Sequence, residues 1–346
     1  MTVEHVANGG QPIDTRGRPL RDLRVSVTDR CNLRCRYCMP REIFGPGFQF
    51  VPRDELLHFE EITRVVASFA RAGVNKVRLT GGEPLLRAGL PDLVEMIAAV
   101  PGVDDIALTT NGSLLVRHAQ RLRDAGLTRI TVSLDTLDAG TFAAVADSEV
   151  TLDAVLAGIA SASKAGFVPL KVNAVIKRGW NDADVERLAE FGREHGHRMR
   201  FIEYMDVGDT NGWRLDDVVP ATEILDRIAV RWPIEPVTAG YPGEVANRFR
   251  YLDGAGEVGV ISSITQPFCA TCTRARLSAI GEVYTCLFAS SGHDLRALLR
   301  SGADDDALDL AVRALWTTRA DRYSELRALH ASHQGPRKVE MSYIGG

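Results

Sequence analysis

From about residue 22 to residue 230 the chain alternates strand-like and helix-like segments at the spacing of βα units, and that period constrains its fold more than any other feature. Strands are expected at Leu23–Thr28, Lys76–Thr80, Asp105–Thr110, Arg129–Leu134, Pro169–Ile176 and Arg198–Met205. Helical patterns lie between them, among them Glu60–Ala72, Leu115–Ala125, Thr151–Ala165 and Asp182–His195. Gly73, Gly126, Gly166 and Gly196 follow these helices, where a left-handed residue commonly ends a helix. Six such units imply a parallel sheet with helical crossovers.

The strand faces narrow the choice. A parallel strand covered on both sides reads as continuously apolar. Here Arg24, Ser26 and Thr28 alternate with Val25 and Val27, and Arg78 and Thr80 alternate with Val77 and Leu79. Thr131, Ser133 and Asp135 alternate with Ile130, Val132 and Leu134, and Lys171 and Asn173 alternate with Val172 and Ala174. Successive side chains point to opposite faces, so the apolar set can pack on helices while the polar set looks elsewhere. The expectation is an α/β fold: an incomplete (β/α)6 TIM-like barrel, open along one side, with water and ligands inside. It is expected over residues 13–234, with a C-terminal domain over residues 235–346.

The texture changes after Pro233. Residues 235–259 hold several glycines and the hairpin-like turn Asp253-Gly254. A strand-like run then leads to Cys286, helical stretches are expected around His293–Arg300 and Asp304–Thr317, and the chain closes on Gly345-Gly346. The net charge of −4 argues against a general nucleic-acid binder, whose footprint would be basic. The first 20 residues lack the features of a signal peptide, and no apolar run is long enough for a membrane span. A cytoplasmic location follows as an expectation, and in that reducing compartment cysteines are metal-binding or catalytic more often than paired.

Six cysteines fall into two groups of three. Cys31, Cys35 and Cys38 form C-x3-C-x2-C in the loop after the first strand, at the mouth where βα barrels build their sites. Three thiolates are one short of a closed site: an iron–sulfur cubane so held keeps one iron open, zinc needs a fourth ligand, and a disulfide leaves one thiol over. Cys269, Cys272 and Cys286, spaced C-x2-C-x13-C, repeat the pattern. Half a zinc ribbon is the alternative there, with His293 the nearby candidate for a fourth ligand. Thr80-Gly81-Gly82-Glu83-Pro84 ends the second strand, where paired glycines let backbone come close to a ligand or make a tight turn. Arg24, Arg78 and Lys171 on the polar faces, with Arg274 and Arg276 beside the second triad, ask for an anion such as phosphate. Pairing with internal carboxylates, Asp135 or Glu203, is the other reading. The Gly345-Gly346 end is either frayed or thin enough to thread into a pocket.

The C-x3-C-x-aromatic-C pattern resembles that of the radical S-adenosylmethionine (SAM) superfamily, and the whole set of motifs resembles the GTP 3′,8-cyclase family of molybdenum-cofactor biosynthesis. The likeness runs from Asp14-x-x-Gly17-Arg18 and Asp22–Cys31 through Arg78–Pro84, Thr109–Gly112, Ser133–Asp135, Lys171–Asn173 and Phe201–Asp206. It ends in Cys-x-x-Cys-x-Arg-x-Arg at residues 269–276 and the Gly-Gly tail. The resemblance implies a radical SAM barrel with a C-terminal cluster-binding extension. It implies that Cys31, Cys35 and Cys38 hold the SAM-binding 4Fe–4S cluster, with Tyr37, Gly82, Ser133 and Met205 contacting SAM. It implies a second 4Fe–4S cluster on Cys269, Cys272 and Cys286, its open iron toward guanine. Arg24, Arg78, Thr109, Lys171, Arg274, Ala275 and Arg276 would contact GTP, and Arg274, Arg276, Gly345 and Gly346 would serve catalysis. A one-electron reductant would supply the reaction, cyclic pyranopterin monophosphate synthase would take the product, and a homodimer is left open. Two other readings stand beside this one: a radical SAM peptide maturase with an auxiliary cluster, which predicts no clustered cations, and a non-enzymatic iron–sulfur carrier, which leaves the Gly-Gly-Glu-Pro segment unexplained.

Overall fold

The computed structural model of the chain describes residues 10–330 and 337–345. Gly346 and the first nine residues lie outside them. Six parallel strands, β1 (Asp22–Ser26), β2 (Lys76–Thr80), β3 (Asp105–Thr110), β4 (Arg129–Ser133), β5 (Lys171–Ile176) and β6 (Arg198–Glu203), follow one another in chain order across the sheet. Helices connect them, including Phe59–Arg71, Leu115–Asp124 and Leu152–Lys164. The expected capping glycines Gly73, Gly126, Gly166 and Gly196 all take positive φ. Alternation works as anticipated: Val25, Val77, Leu79, Ile130, Val132, Val172 and Ala174 are fully buried in one apolar cluster with the helices.

The sheet does not stop at β6. The later strands are β7 (Ile234–Val237), β8 (Asn247–Tyr251), β9 (Glu257–Ile261), β10 (Arg274–Leu277), β11 (Glu282–Tyr284) and β12 (His293–Asp294). The order is β12-β11-β10-β1-β2-β3-β4-β5-β6-β9-β8-β7, unclosed. β9 pairs parallel with β6 and β10 pairs parallel with β1, so residues after 234 flank the barrel on both sides. The Asp253-Gly254 signal is realised between antiparallel β8 and β9. Two local expectations are corrected. The run to Cys286 is two antiparallel strands, turned at Gly281 with its φ of 93°. His293 lies in an exposed two-residue strand paired with Val283, and the helix begins only at Arg296. Among the described residues no helix is long and apolar enough to cross a membrane.

Candidate active site

One cavity of about 360 Å3 occupies the barrel lumen and is lined by all six cysteines. No cysteine is in a disulfide. His293 is not among the lining residues, because strand pairing carries it to the surface, so it cannot complete the second triad.

The first triad is locked in place through the ends of neighbouring strands. The backbone N–H of Gly82 donates to Thr28 O at 2.8 Å and that of Glu83 to Arg30 O at 2.7 Å. A Cβ on Gly82 would stand 2.3 Å from Arg30 O, and one on Gly81 2.4 Å from Thr28 O. The paired glycines therefore admit the backbone that enters the cysteine loop. Glu83, fully buried, accepts from Thr110 Oγ1 (2.7 Å) and the Asn111 N–H (2.8 Å), and Asn111 Nδ2 donates to Asn32 Oδ1 (2.8 Å) beside Cys31. Burial pushes the Glu83 carboxyl up to about 7 against these bonds. Tyr37 donates its hydroxyl to Asp135 at 2.7 Å, and burial raises that carboxyl to about 6. Thus neither Asp135 nor Glu203 neutralises a lumen cation: Glu203 accepts from Ala221, Ile264 and Thr265 instead.

Burial pushes the Cys31 thiol up to about 11, with Glu83 adding to it. Cys35 and Cys38 are raised further by burial and by the neighbouring sulfurs. A thiol binds a metal as the thiolate, so a cation held by these three would have to overcome the burial and mutual repulsion that keep them protonated without it. Tyr37, Gly82, Ser133 and Met205 line the same cavity. So does Asn173, whose buried Oδ1 has no hydrogen-bond partner and offers an acceptor to a bound ligand.

Strand register builds the cation cluster. Arg24 stands opposite Arg78 on β2 and opposite Arg276 on β10, giving a row of three guanidinium side chains across adjacent strands. Like charges directly opposite one another destabilise a sheet. Arg78 Nη1 donates to Thr109 Oγ1 (2.9 Å) and Thr131 Oγ1 (3.2 Å). Lys171 joins them from β5, its ammonium pushed down to about 6 by burial and then by Arg200, Arg129, Arg78 and Lys76. Arg24 is held well below its ordinary range by burial, Arg276, Arg274 and Arg78. Among the described residues no ion pair joins Arg24, Arg78, Lys171, Arg200, Arg274 or Arg276 to a carboxylate. Arg200 and Lys76, not singled out from the sequence, line the cavity too. Arg200 alternates with buried Met199 and Phe201, which was the available signal. Ala275 lies in the apolar core between Arg274 and Arg276, so its side chain does not reach the lumen and any contact it makes there is through its backbone.

The second triad sits among arginines. Cys272 Sγ receives Arg274 Nη2 and Arg319 Nη2, each at 3.3 Å. Burial would raise this thiol, but Arg274 and Arg319 outweigh it and bring it to about 6. Cys286, with less cationic company, is pushed by burial up to about 11. Nearby, the chain end turns in: Gly345 is buried at φ 75°, its carbonyl accepts from Arg276 Nη1, and a Cβ there would lie 2.2 Å from Thr80 Cγ2.

The profile of the Radical SAM superfamily matches residues 25–192, and that of Molybdenum Cofactor Synthesis C matches residues 197–325. The chain is 65% identical to the GTP 3′,8-cyclase of Acidothermus cellulolyticus, over 97% of this chain and 99% of that protein. It is 51% identical to the GTP 3′,8-cyclase of Xanthomonas campestris, over 96% of this chain and 97% of the relative. Among solved structures, Streptococcus suis SuiB bound to S-adenosylmethionine aligns with a TM-score of 0.60 at 15% identity, covering 94% of this chain and 76% of that one. That last likeness is one of fold.

Proposed function

The chain belongs to the GTP 3′,8-cyclase family of the radical SAM superfamily, and from that premise we propose how its lumen divides the reaction among its residues. The enzyme converts GTP to 3′,8-cyclo-7,8-dihydroguanosine 5′-triphosphate in molybdenum-cofactor biosynthesis. When bound, the 4Fe–4S cluster and SAM supply the 5′-deoxyadenosyl radical that removes the ribose C3′ hydrogen.

In our reading Cys31, Cys35 and Cys38 hold that cluster, and Tyr37, Gly82, Ser133 and Met205 orient SAM from the same side of the lumen. Arg24, Arg78, Lys171 and Arg276, with Thr109 beside Arg78, bind the triphosphate and so fix the ribose between the two triads. Cys269, Cys272 and Cys286 hold a second 4Fe–4S cluster facing the guanine. Support for a cluster over zinc is the donor count: among the described residues three thiols line the cavity, and His293, the histidine closest in sequence, is turned away. Gly345 brings the chain end against Arg276 and Thr80, where side-chain-free backbone can help exclude water and set up the radical step; Gly346, outside the described residues, is proposed to act with it. A cytoplasmic setting, a one-electron reductant and consumption of the product by cyclic pyranopterin monophosphate synthase belong to the same proposal. So does a working division near residue 234, with SAM chemistry before it and the second triad and tail after it.

The observation that carries this reading is the unpaired cation row facing the lumen that both triads share. A peptide maturase has no need of it. Anaerobic reconstitution, followed by incubation with SAM, dithionite and each nucleoside triphosphate in turn, should give cyclised product from GTP alone. Deoxyadenosine release without a GTP-derived product would overturn the assignment.

A further inference from the structure

We propose that Arg319, held by Asp14 and Arg18, is a positioning residue that gathers the three segments of the second triad and raises the reduction potential of the cluster bound there. The inference rests on the second-cluster reading above and extends it.

Arg319 comes from the turn after the helix Asp305–Thr317, far in sequence from every cysteine. Its side chain is 1% exposed and that of Asp14 is 0% exposed. Its Nη1 donates to Cys272 O (2.8 Å) and to Asp14 Oδ2 (3.2 Å), its Nη2 donates to Cys272 Sγ (3.3 Å), and its Nε donates to Thr285 O (3.1 Å), one residue before Cys286. One planar fork thus ties both halves of the triad together. Arg18 completes the set: its Nε donates to Asp14 Oδ2 (2.6 Å) and its Nη1 to Cys269 O (2.7 Å) and Asp321 O (2.8 Å). Thr15 closes the circuit by donating its N–H (3.2 Å) and its hydroxyl (2.7 Å) to Arg319 O. Arg319 Nε also reaches Asp321 Oδ2 (3.3 Å), so two buried guanidinium groups that share Asp14, with Asp321 beside one of them, touch the backbone of every cysteine-bearing segment. Buried charges persist only when paired and hydrogen-bonded in this manner.

Scaffolding alone would not require a donor aimed at sulfur. Hydrogen bonds to cluster sulfurs and nearby net charge set iron–sulfur potentials, and in a site stripped of water a cationic N–H counts for more. A guanidinium against Cys272 stabilises the more negative, reduced form and raises the potential. The first triad has no guanidinium on a sulfur: Cys31 Sγ receives the Leu33 N–H at 3.4 Å and a side-chain hydrogen bond from the neutral Asn111, and it faces Glu83, with Arg34 only as a weaker charge influence.

The test uses a protein in which Cys31, Cys35 and Cys38 are all Ala, so that only the second triad can load iron. Its cluster is titrated by electron paramagnetic resonance, and exchangeable protons are read by electron–nuclear double resonance after exchange into deuterated water. Arg319→Met should load about four iron per chain, shift the potential to a more negative value and lose exchangeable-proton coupling. Arg319→Lys, which keeps the charge but not the fork, should fall between. A loaded Arg319→Met cluster with unchanged potential and coupling would overturn the proposal. If Arg319→Met loads no iron, Asp14→Asn must show a smaller shift of the same sign, and an unmoved potential there overturns it as well. If the unsubstituted second triad itself loads no iron, the second-cluster reading fails and this inference with it.

Discussion

At the barrel mouth the thiols of Cys31, Cys35 and Cys38 look onto Glu83 and Asp135, whereas across the same lumen Cys272 looks onto Arg274 and Arg319. Burial acts in the same direction at both places and pushes thiols up. Only at Cys272 is it reversed, to about 6, while Cys31 stands near 11 and Cys286, beside Asp321, is raised to about 11 as well. Matching donor sets thus differ at one thiol, Cys272, which has arginines where the first triad has carboxylates. A centre facing carboxylates gives up negative charge readily, which suits electron release toward SAM; one facing arginines tolerates added charge and an anionic neighbour.

The largest effect expected from breaking this contrast comes from the ligands. Replacing Cys31, Cys35 and Cys38 by Ala should abolish SAM cleavage and product together, measured as deoxyadenosine and cyclised GTP. Replacing Cys269, Cys272 and Cys286 should lose the product while sparing some SAM cleavage, with iron falling from about eight to about four per chain. Equal loss of both activities would erase the division of labour.

The next effect concerns the chain end, which reaches the arginine side. Removing Gly346, appending an alanine or making Gly345→Ala should cut product sharply at nearly unchanged GTP affinity and iron content. The Gly345 substitution acts through a positive φ and a Cβ 2.2 Å from Thr80 Cγ2. Full activity of a chain ending at Ile344 would show that the tail is passive.

Smaller is the loss of one cation. Arg78→Ala or Lys171→Ala should weaken GTP binding by about 1.5–3 kcal/mol, roughly ten- to 150-fold in Kd, and leave SAM affinity nearly unchanged. Calorimetry with each ligand separates this from a folding defect, which would weaken both.

The smallest effect is a pH slope. Lys171, lowered to about 6 by burial and neighbouring cations, is mostly neutral at pH 7.5 in the free protein. Bound triphosphate favours its charged form, so binding takes up a proton, and GTP affinity should fall as pH rises above 6, by up to about tenfold per unit. Lys171→Arg stays charged and should flatten the slope. A wild-type affinity independent of pH from 6.5 to 8.5 would mean that Lys171 does not meet the triphosphate.

Much of this was legible beforehand. Strands β2 and β3 have the expected limits, and the polar residues Arg24, Arg78, Ser133 and Lys171 face the lumen because a period of two is a local property. The same rule, applied across Arg274-Ala275-Arg276, turns the Ala275 side chain into the core and leaves its expected substrate contact to the backbone. Other features had no local signal. Nothing near Arg319 announces that its guanidinium meets Cys272, and nothing in Gly81-Gly82 says that the backbone they admit belongs to residues 28–30.

The chain's own order of residues determined the βα period, the polar strand faces, the two sets of thiols and the stock of cations, since each depends on neighbours a few positions apart. Tertiary structure alone decided that β10 returns beside β1, setting Arg276 level with Arg24 and Arg78, and that β9 flanks β6 on the far side. It likewise turned His293 outward and brought Asp14 and Arg319 together beneath the second triad. Apart from His293, which pairs with Val283 ten residues before it, those contacts join residues from about sixty to about three hundred positions apart, and their register is set by which buried faces fit when the sheet is assembled, a property no short stretch of sequence carries.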